Sequence, residues 1–420
     1  MVRNIQKKPA HLPERLTISF PIWGLYATEE TDVYADCDKM MREHVERGFN
    51  CIRLDDGAGL MHDLDGNPLP PVKIKRAFDQ YATRQACNAF TPGYCDVRKR
   101  LIDLFTAAKK YNVYIILSSW FYLHTYWMVD DKDITDYFIY MEPHKRYEAF
   151  GKYLHYIICE LEERGLDSQI AFAEIFNEAN GLTFSGGYEN MYKCPVEERV
   201  RFRQEHTEAI EFLKKEHPQI LFAYDVSWPT VEEDLAPRNV DVYNAHQYFM
   251  WALYNVLDEE PDRWLLPNRV SKEEVLSHTY YPELVTDDWV QHLWFYGNLD
   301  KSKISEIEEL LAITFDEKED FFYEKLHRNI ERLQADINEV YPDTLLACGE
   351  GVSYNPSNEV LFEEKSEKYW KLMMYMAAKF REIGLWGTIV RTCCGPEDPV
   401  WNMCPDKIRE FNHLFLYGDK

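Results

Sequence analysis

The sequence predicts an α/β fold, a (β/α)8 TIM barrel, on three observations. Short apolar runs of β type alternate with amphipathic helical stretches along most of the chain. Eight such runs occur, the number that closes a parallel sheet on itself. An open doubly wound sheet would show the same alternation, but it would need a glycine-rich phosphate turn or a switch-point crevice, and neither is visible. The length of 420 residues suits a barrel carrying insertions.

The eight expected strands are Leu16 to Ile22, Phe49 to Leu54, Val113 to Ser118, Ile170 to Phe176, Ile220 to Asp225, Val242 to Ala245, Leu345 to Cys348 and Trp386 to Arg391. The first expected helix is Asp36 to Arg47. The second, Asp96 to Tyr111, has an aspartate at its N-cap and sets Val97, Leu101, Leu104 and Phe105 on one face. Pro143 to Arg164 opens on proline and stops before Gly165. Pro195 to Glu216, Phe321 to Val340, Glu363 to Ile383 and Pro405 to Phe415 follow, with a short, weak helix near Val231 to Leu235. One domain, 1–420, is expected, with insertions at 55–94, 119–142 and 246–320. These long loops follow strands two, three and six, on the face of a barrel where active sites form.

Composition narrows the function class. The net charge of −25 argues against nucleic acid, whose binders carry a basic patch. No apolar run approaches the roughly 20 residues that span a bilayer. The segment Met1 to Pro9 is polar and basic with no apolar stretch behind it, so no signal peptide is read and a cytoplasmic location is expected. Ten cysteines are scattered without a CxxC pair, as buried free thiols would be. Aromatic residues reach 15%, including 11 Trp and 28 Tyr, and flat aromatic faces are what sugar rings stack against. Trp120, Tyr122, Tyr126 and Trp127 after strand three, Trp228 after strand five and Trp251 after His246 are candidate platforms. His144, His155, His206, His217 and His278 show no ligand spacing with Cys, Asp or Glu, so neither a metal nor another cofactor is expected. A GxSxG nucleophile elbow is absent. Asp55 and Asp56 after strand two read as a solvated loop pair.

Two strand tips carry the chemistry. Strand four ends in Phe176-Asn177-Glu178-Ala179-Asn180. A carboxyl there points into the barrel mouth, where burial suits it to general acid work. Asn177 and Asn180 beside it are candidate sugar contacts. Strand seven ends in Cys348-Gly349-Glu350-Gly351, again a single glutamate, between glycines that permit close approach and unusual backbone angles. Two carboxyls about 5–5.5 Å apart across the scissile bond are the equipment of a retaining glycosidase.

At this point the sequence resembles the clan A glycoside hydrolases, the cellulase-like (β/α)8 superfamily that includes glycoside hydrolase family five. The resemblance runs from about Leu16 to Arg391 and rests on short motifs. It implies Glu178 as acid/base on strand four and Glu350 as nucleophile on strand seven. Gly48-Phe49-Asn50-Cys51-Ile52-Arg53 is similar to the family's Gly-x-Asn-x-Val-Arg strand, which gives Arg53 the task of keeping the nucleophile ionised. His246-Gln247-Tyr248 is similar to its His-x-Tyr, which places His246 against the sugar or Glu178 and Tyr248 against Glu350. There are departures. The histidine that many members carry just after strand three is displaced to His124. The tryptophan that many carry at the tip of strand eight is replaced by Arg391-Thr392, leaving Arg391 as a substrate contact and Trp401 as the expected sugar platform. The function implied is retaining hydrolysis of O-glycosidic bonds, of β type, in oligo- or polysaccharides, with carbohydrate as the partner and no cofactor. Two rivals remain: a barrel that binds carbohydrate without turning it over, and a metal-dependent barrel enzyme.

Overall fold

The computed structural model describes residues 8–75, 90–120, 128–179, 193–227, 235–277, 287–353 and 357–418 of the chain. Eight buried strands form within them: β1 (Leu16–Ser19), β2 (Cys51–Asp55), β5 (Tyr114–Ser118), β6 (Ile170–Glu174), β7 (Phe222–Val226), β8 (Val242–Ala245), β9 (Leu345–Ala347) and β10 (Gly387–Ile389). They are near-continuous apolar runs because both faces are covered, the interior by side chains and the exterior by helices. The sheet closes in the order β1-β2-β5-β6-β7-β8-β9-β10 and back to β1, each neighbour parallel. The barrel is the expected fold, and every expected strand is present in it, several shorter by one to three residues. The missing residues lie at strand starts, as at Phe49, Val113 and Ile220, as well as at tips, as at Ile175–Phe176 and Cys348.

The helices follow their caps. Asp36 and Asp96 accept from Lys39 N and Lys99 N at the starts of Cys37–Glu46 and Val97–Tyr111. The latter buries Val97, Leu101, Leu104 and Phe105 as its spacing requires. Pro143 opens a single 3₁₀ turn, and the α-helix proper is Arg146–Glu163. Val196–Glu216 and Pro405–Tyr417 stand where expected. The expected helix from Glu363 is two, Phe362–Lys365 and Glu367–Glu382, because Ser366 takes an extended backbone and its side chain caps Tyr369 N. All but one residue of the weak helix near Val231 lies outside the described residues.

Two insertions hold more structure than a loop reading allows. A small antiparallel hairpin, β3 (Val72–Ile74) with β4 (Gly93–Cys95), sits between β2 and its helix. Beyond β8, the span to Asp320 is mostly helical, with turns at 251–259 and helices at Asp287–Gly297 and Ile304–Glu317 before Glu319–Glu339. Ile307, Leu311 and Phe315 form a buried stripe at helical spacing. That stripe, and not the strand-to-strand distance, decides the structure there. The described cysteines are free thiols, buried except for half-buried Cys159. No helix among the described residues is long and apolar enough to cross a membrane.

Candidate active site

Inside the barrel an apolar floor gives way to a polar layer and then to the mouth. Phe172 and Trp386 meet near the strand starts, ring centroids 6.0 Å apart. Above them Arg53 of β2, Glu174 of β6, Asp225 of β7 and Asn244 of β8 project inward, all 0–1% exposed. Arg53 Nε donates to Glu174 Oε1 at 2.9 Å, and Nη2 reaches Asp225 at 3.1 Å and Asn177 Oδ1 at 2.6 Å. Its guanidinium lies over Trp120, 4.6 Å from the ring centroid, and Trp120 packs on Phe20. Asn244 Nδ2 donates to Glu174 at 3.1 Å and Asp225 at 2.6 Å, while its Oδ1 accepts from Gly349 N at 2.7 Å. Charges this deep persist only when paired and hydrogen-bonded, and here each is.

The two strand-tip glutamates sit above this layer. Glu178 has a backbone φ of 49°, rare for a side chain that is not glycine or asparagine. Its amide donates to Asp225 Oδ1 at 2.5 Å, which holds the turn. Glu350 is fixed by pairing that continues past β8 and β9. Its carbonyl accepts from Gln247 N at 3.2 Å, and Gln247 bridges Gly351. Gly351 has φ 134°, and a Cβ there would fall 2.5 Å from Gln247 N. At Gly349 a Cβ would come within 2.7 Å of Asn244 Nδ2 and 3.0 Å of Arg53 Cδ. Both glycines are required by close approach, and Gly351 also by its angle.

His246 joins the carboxyls. Its Nδ1 lies 2.9 Å from Glu178 Oε1 and 3.0 Å from Glu350 Oε2, and its Nε2 lies 3.0 Å from Asp225 Oδ2. Ligand-type atoms of Glu178, His246 and Glu350 all fall within 4.8 Å of one another. Arg53 Nη1 is 3.6 Å from Glu350 Oε2. Burial opposes a charge on His246, but the carboxylates of Asp225 and Glu350 outweigh it and raise its pKa well above the ordinary value. Carboxyl oxygens face both ring nitrogens. Glu174 behaves oppositely to a simple ion pair. Burial pushes its carboxyl up to about 7 against the pull of Arg53, and nearby Asp225 adds to the rise. Asp225 itself is held below the ordinary value, burial being outweighed by His246 and Arg53.

Of the residues expected from sequence, Glu178, Glu350, Arg53, Asn177 and His246 come together. Tyr248 stands edge-on to His246, and its hydroxyl accepts from Thr392 Oγ1 at 3.3 Å; Thr392 Oγ1 in turn accepts from Gly351 N at 2.8 Å. Trp251 is 43% exposed and edge-on to Tyr248, an aromatic face continuous with the site. Trp120 is buried beneath Arg53, so it shapes the arginine and offers no open face. Asn180, Tyr122, His124, Tyr126, Trp127 and Trp228 lie outside the described residues.

Three expectations need correction. Trp401 is 1% exposed, stacked on Phe49 with Arg47 over its ring at 4.3 Å. Phe49 precedes β2, so Trp401 lies at the opposite end of the barrel from the mouth and forms no sugar platform. Arg391 is engaged by Glu363 at 2.6 Å and Glu364 at 2.8 Å in a separate buried network with Ser353, Tyr254 and Tyr369. It braces the strand-eight end and leaves no guanidinium edge for substrate. Asp55 and Asp56 are buried, not solvated. Asp55 accepts from Tyr26 and Gly57 N, and Asp56 from Ala58 N and Ser119 Oγ. Burial raises the Asp56 carboxyl to about 6.

Glu174, Asp225 and Asn244 were missed from sequence. Each is a polar residue inside a strand that is otherwise apolar, and that mismatch was the available signal.

The fold and this mouth define a cellulase-like (β/α)8 barrel. A family profile for sugar-binding cellulase-like proteins matches residues 21–336, and the chain belongs to that family. Among solved structures it is similar to a candidate glycoside hydrolase from Parabacteroides distasonis ATCC 8503, at 17% identity and TM-score 0.63, covering 96% of this chain and 93% of that one. It is also similar to a glycoside hydrolase family 5 enzyme from Prevotella bryantii B14, at 11% identity and TM-score 0.48, covering 97% of each. No curated protein sequence matches the chain.

Proposed function

We propose that this chain is a retaining glycoside hydrolase acting on β-glycosides of oligo- or polysaccharides, with Glu350 as nucleophile and Glu178 as acid/base. The observation that carries the reading is the shared histidine: one nitrogen of His246 lies 2.9 Å and 3.0 Å from the two glutamates. One oxygen of each carboxyl lies within 4.8 Å of the other, which supports the close spacing of a retaining pair over the about 6.5–9.5 Å of an inverting one.

In this mechanism Glu350 attacks the anomeric carbon as the glycosidic C–O bond breaks, and Glu178 gives its proton to the leaving oxygen. The sugar is then an ester of Glu350. Glu178, now a carboxylate, takes a proton from water, which attacks the same carbon and frees Glu350. Arg53 Nη1 and His246 Nδ1 lie 3.6 Å and 3.0 Å from Glu350 Oε2 and hold the carboxyl in place. Asn177 is held by Arg53 beside Glu178, in position to meet a sugar hydroxyl. Trp251 offers a face for a neighbouring ring.

The test is a panel of aryl β-glycosides with wild type, Glu350→Gln and Glu178→Gln. Wild type should turn over at least one, and Glu350→Gln should not. Glu178→Gln should lose about 10²–10⁴-fold in kcat/KM on poor leaving groups, which need the proton, and far less on activated ones. Full activity of Glu350→Gln would sink the nucleophile assignment. Saccharide binding without turnover by wild type would favour a binding barrel.

Glu178, His246 and Glu350 also have the composition of a divalent-metal triad. The two-carboxylate reading uses no ion, and on it turnover survives chelation. Loss on chelation, restored by one divalent ion, would favour the metal reading.

A further inference from the structure

Far from the mouth, the end of one helix and the exit of the next bring together three groups that sequence spacing did not connect. His155 and Cys159 lie four apart on Arg146–Glu163, hence on one face. His217 caps the end of Val196–Glu216. Both helices run toward the starts of the strands that follow them, so the cluster sits at the barrel end opposite Glu178 and Glu350. His155 Nδ1 is 2.9 Å from His217 Nε2 and 3.7 Å from Cys159 Sγ, and ligand atoms of the three lie within 4.8 Å of one another.

We propose that His155, Cys159 and His217 form a binding site for a borderline-soft divalent transition ion, zinc above all, that clamps these two helices together. Zinc takes imidazole nitrogen at about 2.0–2.1 Å and thiolate at about 2.3 Å in tetrahedral array. That array puts nitrogens about 3.3 Å apart and nitrogen and sulfur about 3.6 Å apart. The distances in the protein, 2.9 Å and 3.7 Å, differ from these by a few tenths of an ångström. A small rotation of the half-buried His155 ring closes the gap.

A second feature is independent of the ligand spacing. Glu162 Oε1 lies 2.8 Å from His217 Nδ1. That carboxylate fixes the hydrogen on Nδ1 and leaves the Nε2 lone pair aimed at the cluster, the outer-shell arrangement that metal-ligating histidines use. Without an ion, that lone pair accepts from His155 Nδ1. On binding, His155 moves its hydrogen to Nε2, and Cys159 loses its thiol proton to solvent. His217 is buried while His155 and Cys159 are half-buried, so an ion can enter and a water can fill the fourth position. A plain hydrogen-bonded histidine pair would need neither the thiol nor the carboxylate.

The experiment uses full-length protein stripped of metal with chelator, titrated calorimetrically with zinc chloride, with cobalt(II) as a spectroscopic probe. The expected result is one zinc per chain with proton release, and a cobalt–thiolate charge-transfer band in the near ultraviolet. Cys159→Ser, at a half-buried position, should fold normally, abolish the band and weaken zinc binding at least tenfold. Glu162→Ala should weaken it by about 10–100-fold. Glu350→Gln should leave zinc affinity unchanged, which separates this cluster from the mouth. Absence of zinc binding in large excess, or equal affinity in wild type and Cys159→Ser, would overturn the proposal.

Discussion

Arg53 and His246 sit among the acids of the mouth, and their partners explain why the layer holds acids in different states. Glu174 shares Arg53 with Asp225, so the less favourably placed acid keeps its proton longer. The consequence can be measured. Unfolded, Glu174 titrates near its ordinary 4.5; folded, it is raised to about 7. The native state therefore binds more protons between these values, and stability falls as pH rises from about 4.5 to 7. His246, raised above 6.5, acts in the same direction at higher pH. Glu174→Gln removes the first contribution only. Denaturant unfolding at pH 5 and pH 7.5 should show a smaller decline for the variant than for wild type; an identical decline would place the titrating group elsewhere. At this scale the sequence named Glu178, Glu350 and His246 near strand tips and Arg53 inside one, and the structure brings these together, but it misplaced Arg391 at another tip. It failed where an acid stood inside a strand, because pairing partners come from other strands and no local pattern names them.

The elements that aim the chemistry are short. Glu350 owes its position to the Gly349–Gly351 turn and the bridge to Gln247. Gly351→Ala would place a methyl group against Gln247 N at a positive φ. It should cost about 1–3 kcal/mol of stability from backbone strain alone, seen as a lowered Tm. Turnover should fall with it, since the same residue pairing orients Glu350, the proposed nucleophile. Normal stability and normal kcat would show that the turn tolerates a side chain. Strands and helices were legible because apolar period and aspartate caps are local signals. The helical span after β8 was misread as loop, although Ile307, Leu311 and Phe315 carried the period. The β3–β4 hairpin escaped because two three-residue strands 18 residues apart have too little pattern to register. Trp401 was misplaced for a related reason: the turn after strand eight leads to a helix that packs under the barrel, and direction after a strand tip is not written in spacing.

At the scale of the molecule, closing eight parallel strands sends every strand tip to one face and every helix end to the other. The mouth collects Glu178, His246 and Glu350 there, while His155, Cys159 and His217 gather at the far end. The division is testable as a whole: ligands of the far cluster should change metal affinity and stability without changing substrate selectivity. The central claim concerns the mouth, that two carboxyls this close act by double displacement. Its most direct test is the anomeric configuration of the first-formed product, followed by proton NMR during turnover of an aryl β-glycoside before mutarotation. Double displacement gives the β anomer first, by net retention. The α anomer first would contradict it.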